Sequence, residues 1–133
     1  MKIKSRAQAD MALAASRMTE IMSDESKRTW KDDYGRICHN FPVMVLTCGL
    51  CQAVAFSEAK GVDDGKGDKR KREAHNRILD DVKAITGADA RAIAICDAPE
   101  YIQHTRRVLA AWSYYKRFAV SILKVKEGGG DER

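Results

Sequence analysis

Residues 41–57 read FPVMVLTCGLCQAVAFS and contain no charged side chain, although 32% of the chain is charged. Apolar side chains occur on all sides of the helix that this stretch predicts, a pattern typical of a helix enclosed by others. Pro42 fits a first helical turn, because proline fixes φ and lacks an N–H that a first turn does not use. The sequence therefore predicts a central apolar helix over residues 42–60, entered by a sharp corner at Phe41 and Pro42.

A glycine and two cysteines inside this predicted helix carry further information. Gly49 costs about 1 kcal/mol relative to alanine within a helix, so it indicates a close approach by another helix. Cys48 and Cys51 form a CxxC, but they lie in the middle of the apolar run and not at a helix start that follows a strand. We therefore expect them to be inert core thiols.

The composition bounds the class of protein. The 133 residues suit one domain, and the predicted boundaries are a helical domain over 1–127 and a flexible C-terminal tail over 128–133. Lys and Arg exceed Asp and Glu by 24 to 19, and this net charge of +5 favours an anionic partner such as nucleic acid. The N-terminus lacks a continuous apolar segment and the apolar run is too short for a bilayer, so we expect a cytoplasmic protein without a membrane partner.

Other periodic stretches predict the helices around the central one. Residues 3–22 predict an amphipathic helix. A second helix follows, and its largely aromatic stripe favours a core position over base stacking. The stripe comprises Trp30, Tyr34, Ile37 and Phe41. A helix from Asp68 stops at Gly87, and residues 89–96 add one or two turns. A long final helix carries a seam that we expect to pack on the central helix. Its members are Tyr101, Thr105, Val108, Trp112, Tyr115, Ala119 and Ile122. Since no stretch has strand periodicity, the fold class is all-α, a compact bundle of five or six helices.

Clusters of basic residues are the candidate binding features. Residues 69–72 read KRKR at the start of a helix, where cations oppose the helix dipole, so an anionic ligand is one explanation and a solvated charged face the other. On an ideal helix, Arg106, Arg117 and Lys124 fall on one line opposite the apolar seam. This line predicts contacts along a nucleic-acid backbone, with an ordinary solvated stripe as the alternative.

Two stretches resemble a known family. Residues 34–56 read YGRICHNFPVMVLTCGLCQAVAF, and the final helix carries Tyr101, Thr105 and, over residues 116–119, KRFA. In order and spacing they resemble the small α-helical subunit of type III-B CRISPR effector (Cmr) complexes. Gln103 departs from the family pattern, which has arginine between the tyrosine and the threonine.

The resemblance implies a non-catalytic subunit of an RNA-guided antiviral ribonucleoprotein. Its copies would stack beside the backbone subunits and line the groove where target RNA pairs with the guide RNA, while RNA cutting belongs to the backbone subunit. Together with the charge pattern, this implies a set of candidate RNA-binding residues. They are Lys69, Arg70, Lys71, Arg72, Arg106, Lys116, Arg117 and Lys124.

The sequence offers no set of catalytic residues. The three histidines are scattered, and no carboxylate lies in the apolar stretch 41–57 or on the main seam. Zinc would require a second pair of ligands at metal spacing, which is missing, so we expect no metal, no cofactor and no enzymatic activity. Two alternatives remain: the small subunit of a related type III-A complex, and a helical DNA-binding regulator.

Overall fold

The computed structural model describes residues 3–63, 65 and 67–126. Within them the chain forms seven helices and no strand, which confirms the all-α class. The count exceeds the predicted five or six, because the short Glu25–Arg28 helix is separate and the predicted central helix is divided in two. The helices are α1 (Arg6–Ser23), α2 (Glu25–Arg28), α3 (Lys31–Cys48), α4 (Leu50–Lys60), α5 (Lys69–Thr86), α6 (Ala90–Ile95) and α7 (Ala98–Ser121). The predicted tail over residues 128–133 lies outside the described residues.

The predicted corner at Pro42 is wrong, because α3 continues through Pro42 as far as Cys48. A proline inside a helix leaves the carbonyl four residues earlier, here that of Cys38, without its usual N–H donor. The indole Nε1 of Trp112 in α7 donates to this carbonyl at 2.8 Å, and both side chains are buried. The tertiary contact thus supplies the hydrogen bond that Pro42 removes.

The helix break lies instead at Gly49, so the predicted single helix over 42–60 is divided between α3 and α4. Gly49 has φ +92° and ψ 158°, a backbone conformation that is accessible essentially only to glycine. A Cβ atom at this position would meet nothing nearer than the Tyr101 hydroxyl at 3.3 Å. Backbone conformation, and not a close helix contact, therefore explains the glycine.

The stretch is also less enclosed than its composition suggests. Val43 is 58% exposed, Leu46 is 72% exposed and Phe56 is 42% exposed. Cys48 and Cys51 are exposed as well, so the interpretation of both as core thiols is wrong. An apolar residue is not obliged to be buried, and one side of α3 and α4 lacks a covering helix among the described residues.

The core lies where α3, α5 and α7 meet α1. Its largest fully buried side chains are aromatic: Trp112, Tyr34, Tyr115 and Phe41. Trp112 stacks on Tyr115 with ring centroids 5.0 Å apart and packs against Phe41 at 4.7 Å. The core positions of the aromatic stripe and of the α7 seam are thereby confirmed, although the seam packs mainly on α1 and α3.

Close helix packing occurs at Gly35, which the sequence did not single out. A Cβ atom here would overlap the side chain of Val125, which follows α7. Lys31, near the start of α3, donates from Nζ to the carbonyl of Leu123 at 2.9 Å. These contacts place the start of α3 beside the end of α7.

Candidate nucleic-acid interface

The basic residues 69–72 form the first turn of α5, as predicted. The side chain of Asp68 caps this helix by accepting a hydrogen bond from the Arg70 backbone N–H at 2.9 Å. That bond is the main reason why the pKa of the Asp68 carboxyl is lowered, so the carboxylate is ionised at neutral pH. Lys69, Arg70 and Lys71 are exposed, and a ligand reaching this turn meets their cations beside the capping carboxylate of Asp68 and the exposed carboxylate of Glu73.

The helical turn divides this cluster between two grooves. Lys69 and Arg70 line a groove together with Lys27 of α2 and with Trp30. Lys71 and Arg72 line another groove with Lys60, which is the last residue of α4. One sequence cluster therefore presents cations on two sides of α5.

Arg72 differs from its neighbours because it contacts the loop before α5. Its Nη2 lies 3.8 Å from Asp63 Oδ1, and its Nη1 donates to the Gly67 carbonyl at 3.5 Å. Arg70 forms an exposed pair with Asp68 at 3.5 Å. An exposed pair of this kind contributes about 0–1 kcal/mol, so Arg70 can exchange Asp68 for a phosphate.

A second basic region lies on α7. Lys116 and Arg117 line a groove with Ser113 and Val120 of α7 and His39 of α3. Arg106 is exposed on the same helix, nearly three turns earlier. Gln103, the departure from the family pattern, is exposed on α7 as well.

The predicted line of three cations is wrong at its third member. Helix α7 ends at Ser121, and Lys124 lies beyond it with φ +63°. Ideal helix geometry therefore does not apply to Lys124, although its side chain is exposed. Only Arg106 and Arg117 of the three share a helical face.

The fold brings some of the predicted residues to one end of the bundle. The start of α5 lies beside Trp30, and the end of α7 lies beside Lys31, so Lys69, Arg70 and Lys124 share that end. Arg106 lies towards the opposite end, because its neighbour Arg107 donates to Asp10 in the first half of α1. The candidate residues therefore form separate regions and not one continuous line.

Sequence reasoning missed His39, Lys27 and Lys60, the groove residues from neighbouring helices. The short connection between α4 and α5 is the one available signal, because it requires Lys60 to lie near residues 69–72. His39 and Lys27 join their grooves through tertiary packing, for which the local sequence gives no indication.

The buried charges form a different kind of cluster. Asp81 of α5 is fully buried and accepts hydrogen bonds from the Tyr34 hydroxyl and from Arg17. Arg77 lies 3.8 Å from the same carboxylate and also pairs with Glu20. Burial raises the pKa of Asp81 to about 6, opposed first by the charge of Arg17. Asp81 and Arg77 are buried, so the centre of this cluster offers no surface to a ligand.

Across residues 3–63, 65 and 67–126, no group of three or more His, Cys, Asp or Glu side chains could hold a metal ion. No helix among these residues is both long enough and apolar enough to span a membrane.

Fold and surface together define a small helical protein whose exposed basic grooves lie on a bundle held by an aromatic core. Residues 6–122 match the family described as "CRISPR-associated protein (Cas_Cmr5)". Because this match spans most of the sequence, the chain belongs to that family, and the resemblance found in the sequence is confirmed.

Two comparisons with individual proteins agree with the family. The chain is 29% identical over 115 residues to "CRISPR system Cmr subunit Cmr5" of Thermus thermophilus, covering 83% of this chain and 92% of that protein. A crystal structure of a "CRISPR-associated Cmr5 family protein" from the same organism is similar with a TM-score of 0.67 and 27% identity. It covers 90% of this chain and 98% of the other.

Proposed function

We propose that this protein is a non-catalytic, RNA-binding subunit of a type III-B CRISPR effector complex. The similar protein from Thermus thermophilus is named as a subunit of a Cmr system, and family membership supports the same assignment here. In the proposed arrangement, copies of the chain stack with one another and with the backbone subunits, and together they line the groove that holds guide and target RNA.

The cations that line the surface grooves are the observation that carries this proposal. Lys69 and Lys71 at the start of α5 and Lys116 and Arg117 on α7 are presented by rigid helices. Phosphate contacts by Lys and Arg are independent of sequence, as a subunit that accommodates any guide requires. Since one domain offers few simultaneous contacts, useful affinity depends on the repetition of copies along the RNA.

The proposal is tested by removing two cations at a time from the assembled complex. Lys116→Ala with Arg117→Ala, and Lys69→Ala with Lys71→Ala, should each weaken capture of target RNA. Each pair should also reduce the slope of log affinity against log salt by about one unit per lost phosphate contact. Arg106→Ala and Lys124→Ala are tested singly, because they lie apart from the two pairs.

The matched control is Lys4→Ala with Arg6→Ala, which removes two exposed cations near the start of α1. This control should capture target RNA with the wild-type affinity and salt slope. If both groove variants assemble and fold like the wild type yet keep its affinity and slope, then the grooves are solvated surface and the RNA-binding role is refuted.

A further inference from the structure

Phe56 is an unusual side chain for a protein whose other aromatic residues form its core. Across residues 3–63, 65 and 67–126, Phe56 is the one exposed aromatic residue, with 42% of its surface accessible. It lies on α4 one turn before Lys60. An exposed aromatic ring beside cations is a surface on which a nucleic-acid base can stack.

The surroundings of Phe56 are basic. The Nζ of Lys60 lies over the ring, 5.5 Å from its centroid. The ring of His75 meets it edge-on, with centroids 5.8 Å apart. Lys60 and His75 also line the groove that contains Lys71 and Arg72, so the aromatic ring lies at one end of a cationic groove.

We propose that Phe56 and this groove form a site for an unpaired base of single-stranded RNA. The base stacks on the Phe56 ring, and the adjoining phosphates contact Lys60 and Lys71. An exposed aromatic face beside cations is the arrangement by which proteins hold single-stranded nucleic acid without sequence preference. The inference rests on the proposed RNA-binding function and specifies which form of RNA this groove binds.

Replacement of the Lys60 ammonium group by a base on the Phe56 ring is energetically favourable. An exposed cation–π contact is weaker than the stacking of a base on an aromatic side chain. Lys60 is itself exposed at the end of α4, so its ammonium group can leave the ring and reach a phosphate. Without RNA, the ammonium group of Lys60 lies over the Phe56 ring. With RNA bound, it contacts a phosphate of the RNA backbone.

His75 provides the polar edge of the site. Its Nδ1 lies 3.2 Å from the Ser57 hydroxyl, which fixes the orientation of the ring. Burial and, secondarily, the charge of Lys60 lower its pKa, so the imidazole is neutral at pH 7 and leaves the positive charge of the groove to the lysines. The groove also contains the carboxylate of Asp68, which the Arg70 backbone N–H and guanidinium hold.

The test compares two labelled oligomers of equal length, oligouridylate and an abasic ribose-phosphate strand, binding to the full-length protein at low salt. Phe56→Leu should weaken binding of oligouridylate by roughly fivefold to a hundredfold, the equivalent of one lost stacking contact. It should leave binding of the abasic strand unchanged. Lys60→Ala with Lys71→Ala should weaken binding of both strands, because phosphates are common to them.

Two control variants separate stacking from a loss of apolar surface. Phe56→Tyr retains the ring and should bind oligouridylate like the wild type. Leu46→Ala removes an exposed apolar side chain from α3 and should have no effect on either strand.

The base site is refuted if the wild type fails to bind oligouridylate better than the abasic strand, or if Phe56→Leu binds oligouridylate with unchanged affinity. It is also refuted if Phe56→Leu impairs only incorporation into the complex, since Phe56 would then contact a protein partner. None of these outcomes decides the wider RNA-binding function, which the capture assay with the charge variants tests separately.

Discussion

Pro42 and Gly49 are both helix breakers in the same apolar stretch, yet they behave in opposite ways. The proline lies inside α3 without ending it, and the glycine ends α3 and begins α4. At Pro42 the orphaned Cys38 carbonyl finds a donor in Trp112. At Gly49 the chain adopts a conformation that other residues avoid. Pro42 leaves α3 intact because the carbonyl that it orphans is paired, whereas Gly49 ends α3 through its own backbone conformation.

The largest expected effect comes from removing the donor that supports Pro42. Trp112→Phe keeps an aromatic ring in the core but leaves the buried Cys38 carbonyl unpaired and creates a small cavity. We expect a loss of roughly 2–4 kcal/mol in the free energy of unfolding. Urea denaturation of the full-length protein measures this loss.

A double-mutant cycle with Pro42→Ala identifies its cause. Alanine restores a backbone N–H that can donate to the Cys38 carbonyl in either background, but the bond is needed only where the indole is missing. Pro42→Ala should therefore be more stabilising in Trp112→Phe than in the wild type, by about 1 kcal/mol. Strict additivity would show that Trp112 stabilises the core through packing alone.

The next largest effect concerns Gly49. Gly49→Ala forces a Cβ atom into a conformation with φ +92° and ψ 158°, and we expect it to cost about 1–3 kcal/mol in unfolding free energy. This cost does not depend on packing, because the position has space for a methyl group apart from the Tyr101 hydroxyl.

Substitution by asparagine shows whether Gly49 requires its particular backbone conformation or only a positive φ. Gly87 ends α5 in the left-handed helical region, with φ +79° and ψ 3°, which asparagine tolerates. Gly87→Asn should therefore be milder than Gly87→Ala, whereas Gly49→Asn should be as destabilising as Gly49→Ala. Rescue by asparagine at Gly49 would contradict the assigned conformation.

The smallest effect is expected at the cysteines that flank the break. Cys48 and Cys51 are exposed, so Cys48→Ala with Cys51→Ala should change the unfolding free energy by no more than about 0.5 kcal/mol. Capture of target RNA by the assembled complex should also remain unchanged. A loss of capture with an unaltered unfolding curve would assign a functional role to these thiols.

The candidate interface was partly predictable from the sequence. The KRKR run is contiguous, so its place at the start of α5 required only the helix boundary. The groove partners Lys60 and His39 come from other helices, and their positions depend on packing. Lys124 was misplaced because the helix period was extended beyond the actual end of α7.

The sequence by itself determined the properties that depend on local periodicity and on side-chain type. The all-α class, the aromatic stripe of α3 and the start of α5 at Asp68 belong here, because the helical repeat and the capping groups are contained within one segment. The family resemblance was also evident, since its motifs lie in two continuous stretches.

Only the tertiary structure decided at which positions a long-range contact outweighs the local preference of the sequence. The hydrogen bond from Trp112 supports α3 at Pro42, and the cation of Arg17 pairs with the buried carboxylate of Asp81. Neither partner can be deduced from neighbouring residues, because each contact joins segments that are distant in the chain. The energy of an unpaired buried polar group is large enough to fix such contacts, and they exist only once the helices have packed.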